Sequence, residues 1–218
     1  MKAQSAVLPG HPSLAFERML FFSDAIFAIA ITLLVIEIRL PVIQGQFTES
    51  ALGYALLGIL PKITGFLISF LLIGQTWIEH HRLCTFIGNY DPGLLWKNLL
   101  LLLFVAFLPF ATTLVSEYYF SRVAISMYAF SFAGLGLAKT FFWRHAVKAH
   151  LLTGDADPMQ VKSIGRRVWA TPITSIAVII ATACGIPYAY VGFGAIPLVA
   201  SILGRSIAGV DPANTRRR

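Results

Sequence analysis

The chain has 218 residues, of which 57% are hydrophobic and 12% are charged, and its formal net charge is +7. Soluble globular domains average about 25% charged residues, so the composition excludes that class and indicates an integral membrane protein. The mean hydropathy of +0.74 agrees, and the length suits one helical bundle with little extramembrane domain.

The first apolar run covers residues 19–38 and is long enough to span a bilayer, which takes about 20 apolar residues. It nevertheless carries a carboxylate, Asp24, near its start. A charge at membrane depth is costly and normally faces protein or water. We therefore interpret Asp24 as an internal anchor that is hydrogen-bonded to neighbouring spans, with Ser23 assisting by bonding across helices.

Past Asp24 the same run becomes almost purely aliphatic. Four side chains recur at i, i+3, i+4 and i+7 and so share one helix face: Ile29, Thr32, Leu33 and Ile36. Asp24 points away from this face, since the five residues from Asp24 to Ile29 turn a helix by about 500°. From the spacing alone the stripe faces lipid, the bundle or a pore with a hydrophobic neck.

Five further apolar runs predict five more spans, at about residues 63–80, 94–115, 123–142, 168–185 and 188–203. The linker 42–61 has room for a short surface helix, and residues 144–167 are interpreted as a polar loop. The expected architecture is all-α, with a cytoplasmic N-terminus at residues 1–18, a six-span membrane domain at 19–204 and a basic cytoplasmic tail at 205–218.

The distribution of charge predicts the orientation. Of the 17 Lys and Arg residues, only Arg39, Lys62 and Arg122 fall on the side opposite the termini. Cytoplasmic loops carry the excess of Lys and Arg, so we expect a multi-pass protein of the cell membrane with both termini in the cytoplasm. Because the cations lie in loops and tails beside apolar spans, membrane lipid is the expected partner and nucleic acid is not.

Polar residues near the cytoplasmic level of Asp24 are its expected partners. The second span ends near His80 and His81, and the third begins near Asn98. Adjacent histidines diverge on a helix, whereas a metal pair needs i and i+4 spacing, so no metal is expected. There is no nucleophile–base pair, phosphate loop or metal-ligand spacing in the sequence, which argues against an enzyme and against a cofactor.

The segment Arg18-x-x-x-Phe22-Ser23-Asp24 resembles the Arg-x-x-x-Phe-Ser-Asp signature of the transmembrane protein 175 family of potassium channels. Residues 77–82, residues 89–98 and the sequence Leu-Pro-Phe at 108–110 are also similar to its prokaryotic members. This resemblance implies six spans per repeat. The chain carries one repeat, as in members that assemble as homotetramers.

The resemblance also implies roles for residues of the first span. This span would line the central pore, with Ile29 and Ile36 forming a hydrophobic constriction and Leu33 or Thr32 between them. The Thr32 hydroxyl would be an ion contact that favours potassium. The remaining signature residues would be structural and hold the cytoplasmic end of the helix: Arg18, Phe22, Ser23 and Asp24.

The predicted function is therefore a potassium-preferring cation channel. The alternative is a proton channel or leak pathway, because some relatives pass protons and Asp24, His80 and His81 can titrate. A membrane enzyme or a structural bundle without ion flux is the more distant alternative.

The sequence YVGFG at residues 190–194 looks like the carbonyl selectivity filter of potassium channels. It lacks the threonine of that filter, and the residues before it leave no room for a pore helix. We therefore interpret its glycines as sites of close helix contact.

Overall fold

The computed structural model describes residues 14–39, 41–43, 47–186 and 189–205. Within these ranges the regular secondary structure is helical, apart from an isolated β-bridge between Ile87 and Leu152. The helices, in chain order, are α1 Leu14–Ile36, α2 Glu49–Gly58, α3 Leu60–Cys84, α4 Pro92–Glu117, α5 Arg122–Lys148, α6 Pro158–Arg167, α7 Ala170–Ala183, a 3₁₀ helix Ala189–Ala195 and α8 Ile196–Arg205.

Helices α1, α3, α4 and α5 correspond to the first four predicted spans, and α2 lies in the linker where the sequence leaves room for a surface helix.

Polar side chains cap the starts of α4 and α5. The Asp91 carboxylate accepts a hydrogen bond from the Leu94 amide (2.6 Å) at the start of α4, and the Ser121 hydroxyl accepts from the Ala124 amide (3.4 Å) at the start of α5. Such side chains satisfy amides that have no partner inside the helix.

The interpretation of residues 144–167 as a loop is wrong over much of its length. Helix α5 continues to Lys148, and α6 occupies Pro158–Arg167. Asp157 caps α6 by accepting from the Met159 amide at 2.9 Å, and Pro158 stands at the first helical position, where its missing N–H costs nothing. A polar composition therefore conceals an amphipathic helix with only Ile164 buried.

Five stretches in the described part are long and apolar enough to cross a membrane: α1, α3, α4, α5, and α6 with α7 taken together. The sixth predicted span differs, because it consists of the 3₁₀ helix followed by the shorter α8. Residues 1–13 of the predicted N-terminus, the first residue of that sixth span, and residues 206–218 of the predicted basic tail lie outside the described residues.

The core of the bundle is centred on α4 and α5. Helix α4 contributes Leu101, Val105 and Leu108, all fully buried, and these pack with buried residues of α1, α3, α5 and α7 in one apolar cluster. Helix α1 packs against α3 and α4. The bundle thus holds α1 along one side and leaves its other side open.

The segment that looks like a selectivity filter is part of this core. Residues 190–194 lie in the 3₁₀ helix, and the fully buried ring of Phe193 lies 4.9 Å from the ring of Phe132 and 5.5 Å from that of Tyr128. A Cβ at Gly192 would lie 3.3 Å from the Val178 side chain in α7. The segment is therefore a packing element with a close helix contact at glycine.

Candidate pore-lining helix and its anchor

Helix α1 has one face that is buried by its own chain. The buried residues recur three or four positions apart, which places them along one side of the helix. They are Phe16, Met19, Ser23, Phe27, Ala30 and Leu34. This side fixes the rotation of α1 about its own axis and therefore decides which side chains point away from the bundle.

The aliphatic stripe lies on the opposite side of α1. Ile29, Leu33 and Ile36 are 56%, 41% and 69% exposed, although all three are large and apolar. The seven residues from Ile29 to Ile36 extend about 10 Å along the axis at 1.5 Å per residue. The stripe does not face its own bundle, so it is free to face lipid or another subunit.

Thr32 interrupts the stripe with a polar group. Its hydroxyl donates to the carbonyl oxygens of Ile29 (2.9 Å) and Ala28 (3.0 Å). Because the hydroxyl hydrogen is held by the backbone, the oxygen presents lone pairs on the exposed side of the helix. Such an oxygen can accept from water or contact a cation, whereas the neighbouring aliphatic groups can do neither.

A buried chain of hydrogen bonds ties α1 to two other helices. The His80 Nε2 atom in α3 lies 2.9 Å from Asn98 Oδ1 in α4, and Asn98 Nδ2 donates to the Ser23 hydroxyl at 2.9 Å. Ser23 in turn donates to the Met19 carbonyl at 2.8 Å. Since a carbonyl oxygen only accepts, His80 must carry its proton on Nε2. The structure thus brings together three of the sequence-predicted polar residues.

Asp24 is also connected to α3, although through an indole. Trp77 Nε1 donates to Asp24 Oδ1 at 2.8 Å. The carboxylate remains exposed within the single chain. The partner of Asp24 is thus a tryptophan of the second predicted span. This contact adds a second link between α1 and α3, next to the hydrogen bonds that join Ser23 to Asn98 and His80.

Three other predicted site residues do not join this network. Arg18 and Phe22 are exposed on the side of α1 that carries Ile29, and Phe22 is 54% exposed. His81 is exposed, and its ring lies 6.0 Å from that of Trp77. Any structural role of Arg18 and Phe22 therefore needs a contact outside the single chain.

Sequence reasoning missed a buried charge beside this network. Lys139 in α5 is only 1% exposed, and its ammonium forms a salt bridge with Glu79 of α3. The ammonium also donates to the Thr171 hydroxyl at 3.2 Å, and Gln75 holds the second oxygen of Glu79 at 3.2 Å. The signal was a lysine inside the apolar run 123–142, because charges within spans face protein and pair with one another.

A further ionic contact joins the ends of α4 and α5 outside the apolar region. His145 Nε2 lies 2.8 Å from Asp91 Oδ1. Partial desolvation raises the pKa of Asp91. Hydrogen bonds from His145 and from the Leu94 amide lower it, as do the positive charges of His145 and Lys97, and the net result is a pKa below the usual range.

In the described ranges no three His, Cys, Asp or Glu side chains are grouped as metal ligands.

Comparison with known proteins supplies the family. A family model described as "Endosomal/lysosomal potassium channel TMEM175" matches residues 18–109, which contain most of α1, all of α2 and α3, and most of α4. The potassium channel Cha6605_3372 of Chamaesiphon minutus is 39% identical over 155 residues, which cover 69% of this chain and 75% of that protein.

The fold agrees with these sequence matches. The crystal structure of a lysosomal potassium-selective channel TMEM175 homolog from Chamaesiphon minutus superposes with a TM-score of 0.71 at 30% identity, covering 87% of this chain and 96% of that chain. The human endosomal/lysosomal proton channel TMEM175 is 25% identical over 154 residues, but they cover only 30% of its length. The helical, multi-pass membrane protein described here belongs to the TMEM175 family of ion channels.

Proposed function

We propose that this chain is the subunit of a homotetrameric, potassium-preferring cation channel in which α1 of each subunit lines the pore. Ile29 and Ile36 form two rings of aliphatic side chains at the constriction, with Leu33 and Thr32 between them. Potassium in the pore and membrane lipid around the bundle are the partners, and the channel needs no cofactor and has no enzymatic activity.

The observation that carries this proposal is the orientation of α1. One side is packed and hydrogen-bonded to α3 and α4, while the stripe through Ile29 and Ile36 is left open. Each chain supplies one such helix, so a closed pore requires several chains around a symmetry axis. The named function of the bacterial relative supports potassium as the permeant ion.

The physical chemistry of the stripe suggests how ions are discriminated. Aliphatic rings offer no oxygen to replace hydration water, and such constrictions gate by dewetting. An ion that passes must keep part of its water, and potassium holds its water less tightly than sodium. The Thr32 oxygen, with its hydrogen held by the backbone, offers one polar contact within the constriction. We therefore expect modest selectivity for potassium.

The six-span arrangement, with the 3₁₀ helix and α8 as the sixth crossing, belongs to the same proposal. So do the cytoplasmic position of both termini and residence in the cell membrane, which rest on the excess of Lys and Arg at the ends of the spans that share the termini's side. Reporter fusions at residues 1 and 218 test this arrangement, because an external signal from either terminus contradicts it.

Ion flux into liposomes tests the channel function. Purified protein is assayed under a potassium gradient and then an equal sodium gradient at matched pH, and we expect faster potassium flux. Ile29→Asn and Ile36→Asn should wet the constriction, raise flux and reduce selectivity. Leu103→Asn, at an exposed position of α4 outside the stripe, serves as the control. Unchanged flux in both isoleucine variants would place the pore elsewhere.

Proton conduction is the second candidate. Relatives in animals carry the name of proton channels, and the titratable residues His80 and Asp24 both link α1 to its neighbours. Flux that follows an imposed pH gradient, and is independent of the potassium gradient, would favour this function. Absence of flux in the wild type and in both isoleucine variants would contradict both candidates.

A further inference from the structure

A cleft of about 310 Å³ opens between α3, the α6–α7 junction and α8. It lies at the end of α3 that we place at the cytoplasmic membrane surface. Its floor is close to the buried Lys139, since Glu79 and Gln75 are among its lining residues. No residue of α1 lines the cleft, so it is distinct from the proposed pore.

Two arginines give this cleft a positive charge. Arg82 of α3 and Arg167 of α6 both line it and are both exposed. Neither takes part in a salt bridge within the described ranges, where Lys62, Lys139 and His145 are the basic partners. The carboxylate of Glu79 does not neutralise them, because it is already held by Lys139 and Gln75.

The guanidinium of Arg167 lies against Gly204, where α6 packs on α8. A Cβ at Gly204 would overlap the Arg167 guanidinium, so the glycine makes room for this side chain. The Ser163 hydroxyl donates to the Gly204 carbonyl at 3.3 Å, which joins the two helices at the same point. A guanidinium that is placed in this way is well suited to bind phosphate oxygens.

Apart from Ser201, the remaining walls of the cleft are apolar. Ile78 and Leu83 come from α3, while Pro197 and Ala200 come from α8. Helix α6, which forms the edge, is amphipathic and carries a basic end. Basic amphipathic helices lie in the membrane interface and attract anionic lipids. The cleft therefore combines sites for an anion and for a hydrocarbon chain at the depth where headgroups meet acyl chains.

We propose that this cleft binds one acidic glycerophospholipid of the cytoplasmic leaflet. The lipid phosphate lies between the guanidiniums of Arg82 and Arg167, and the adjoining part of an acyl chain packs against Ile78, Pro197 and Ala200. A soluble phosphate compound would use only the two arginines and leave the apolar walls exposed. This assignment does not depend on which ion the channel conducts, since it concerns binding alone.

Native mass spectrometry of the delipidated full chain in a neutral detergent tests the site. Phosphatidylglycerol and phosphatidylcholine with identical acyl chains are titrated separately. We expect preferential retention of phosphatidylglycerol. The variant Arg82→Gln/Arg167→Gln should weaken this binding about 30-fold, since each basic residue near an anionic lipid contributes about a factor of five.

Two further variants distinguish lipid binding in the cleft from a general attraction of the lipid by surface charge. Arg144→Gln/Lys148→Gln removes the same charge from exposed positions of α5 outside the cleft and should retain the binding. Ala200→Phe fills the cleft but keeps both arginines, and it should lose phosphatidylglycerol binding.

Wild-type binding of phosphatidylglycerol by Arg82→Gln/Arg167→Gln or by Ala200→Phe would overturn the proposal, and so would three further results. One is equal retention of the two lipids by the wild type. Another is an equal loss of phosphatidylglycerol in the Arg144/Lys148 control, which would mean that general charge attracts the lipid. The third is full competition by glycerol 3-phosphate at concentrations comparable to the lipid, which would make the cleft a site for a soluble anion.

Discussion

Replacing Glu79 with Gln removes the carboxylate that pairs with the buried Lys139. The two partners are unequally buried, since the side chain of Lys139 is 1% exposed and that of Glu79 is 27% exposed. Without the negative charge the ammonium keeps only neutral oxygens, among them the Thr171 hydroxyl at 3.2 Å. The destabilisation caused by removing one partner should therefore depend strongly on which partner is removed.

The expected magnitudes follow from this asymmetry. Breaking a buried ion pair so that a charge remains buried costs about 3–5 kcal/mol, and we expect about 3 kcal/mol for Glu79→Gln because Gln keeps an acceptor. Lys139→Met leaves Glu79 beside the open cleft, where water reaches it, so the cost should be about 1 kcal/mol, that of an ordinary lost hydrogen bond. The double variant should resemble Lys139→Met, since no uncompensated ammonium remains.

The free energy of unfolding is measured by titration of the purified protein with a denaturing detergent, with helicity as the signal. Lys62→Met is the matched control. Lys62 pairs with Glu117 at 2.6 Å, but the side chains are 29% and 48% exposed, and such pairs contribute less than about 1 kcal/mol. A double variant as unstable as Glu79→Gln, or a Lys139→Met as damaging as Glu79→Gln, would refute the reasoning.

Three further changes test the anchor of α1 and the cap at the start of α4. Asn98→Leu leaves buried His80 without its acceptor and should lower the free energy of unfolding by about 2 kcal/mol in the same titration. Asp24→Ala removes the acceptor of an α3 indole and should reduce the yield of the proposed tetramer in size-exclusion chromatography while the surviving channels keep their ion preference. Asp91→Asn keeps the helix cap but loses the charge, so it should lower stability by roughly 0.5 kcal/mol at pH 7. Because the pKa of Asp91 is depressed in the folded chain, its stabilisation is present above pH ~4 and disappears as the pH falls through the folded value.

Each of these predictions has an outcome that contradicts it. An Asn98→Leu protein of wild-type stability would mean that the hydrogen bonds joining His80, Asn98 and Ser23 contribute little to the free energy of unfolding. A full yield of Asp24→Ala tetramer with altered selectivity would move Asp24 from anchor to ion pathway. A loss of stability in Asp91→Asn that persists unchanged at pH 3 would mean that the loss does not come from the carboxylate charge.

The hydropathy of the sequence was sufficient to identify a membrane protein and to locate α1, α3, α4 and α5. Hydropathy and helical period are local properties, so an apolar run of the right length predicts a span wherever it packs. The same local logic failed for residues 158–167, because an amphipathic helix with one buried residue resembles a polar loop in composition. It also failed for the sixth span, where a 3₁₀ helix replaces the first turns of a single α-helix.

The motif in α1 could be recognised from sequence, and the stripe through Ile29 and Ile36 follows from its spacing. Which side of α1 faces the bundle could not be read in the same way, since it depends on the packing of Phe27, Ala30 and Leu34 against other helices. That packing turns the stripe outward, where a second subunit can meet it.

The sequence by itself thus determined the membrane class, the main spans and the presence of an aliphatic stripe on the first helix, because these depend on neighbours within one helix. Only the tertiary structure decided that Trp77 holds Asp24, that Lys139 pairs with Glu79 from 60 residues away, and that Arg82 and Arg167 line one cleft. These contacts join different helices, and the rotation of each helix about its axis is set by packing rather than by its own residues.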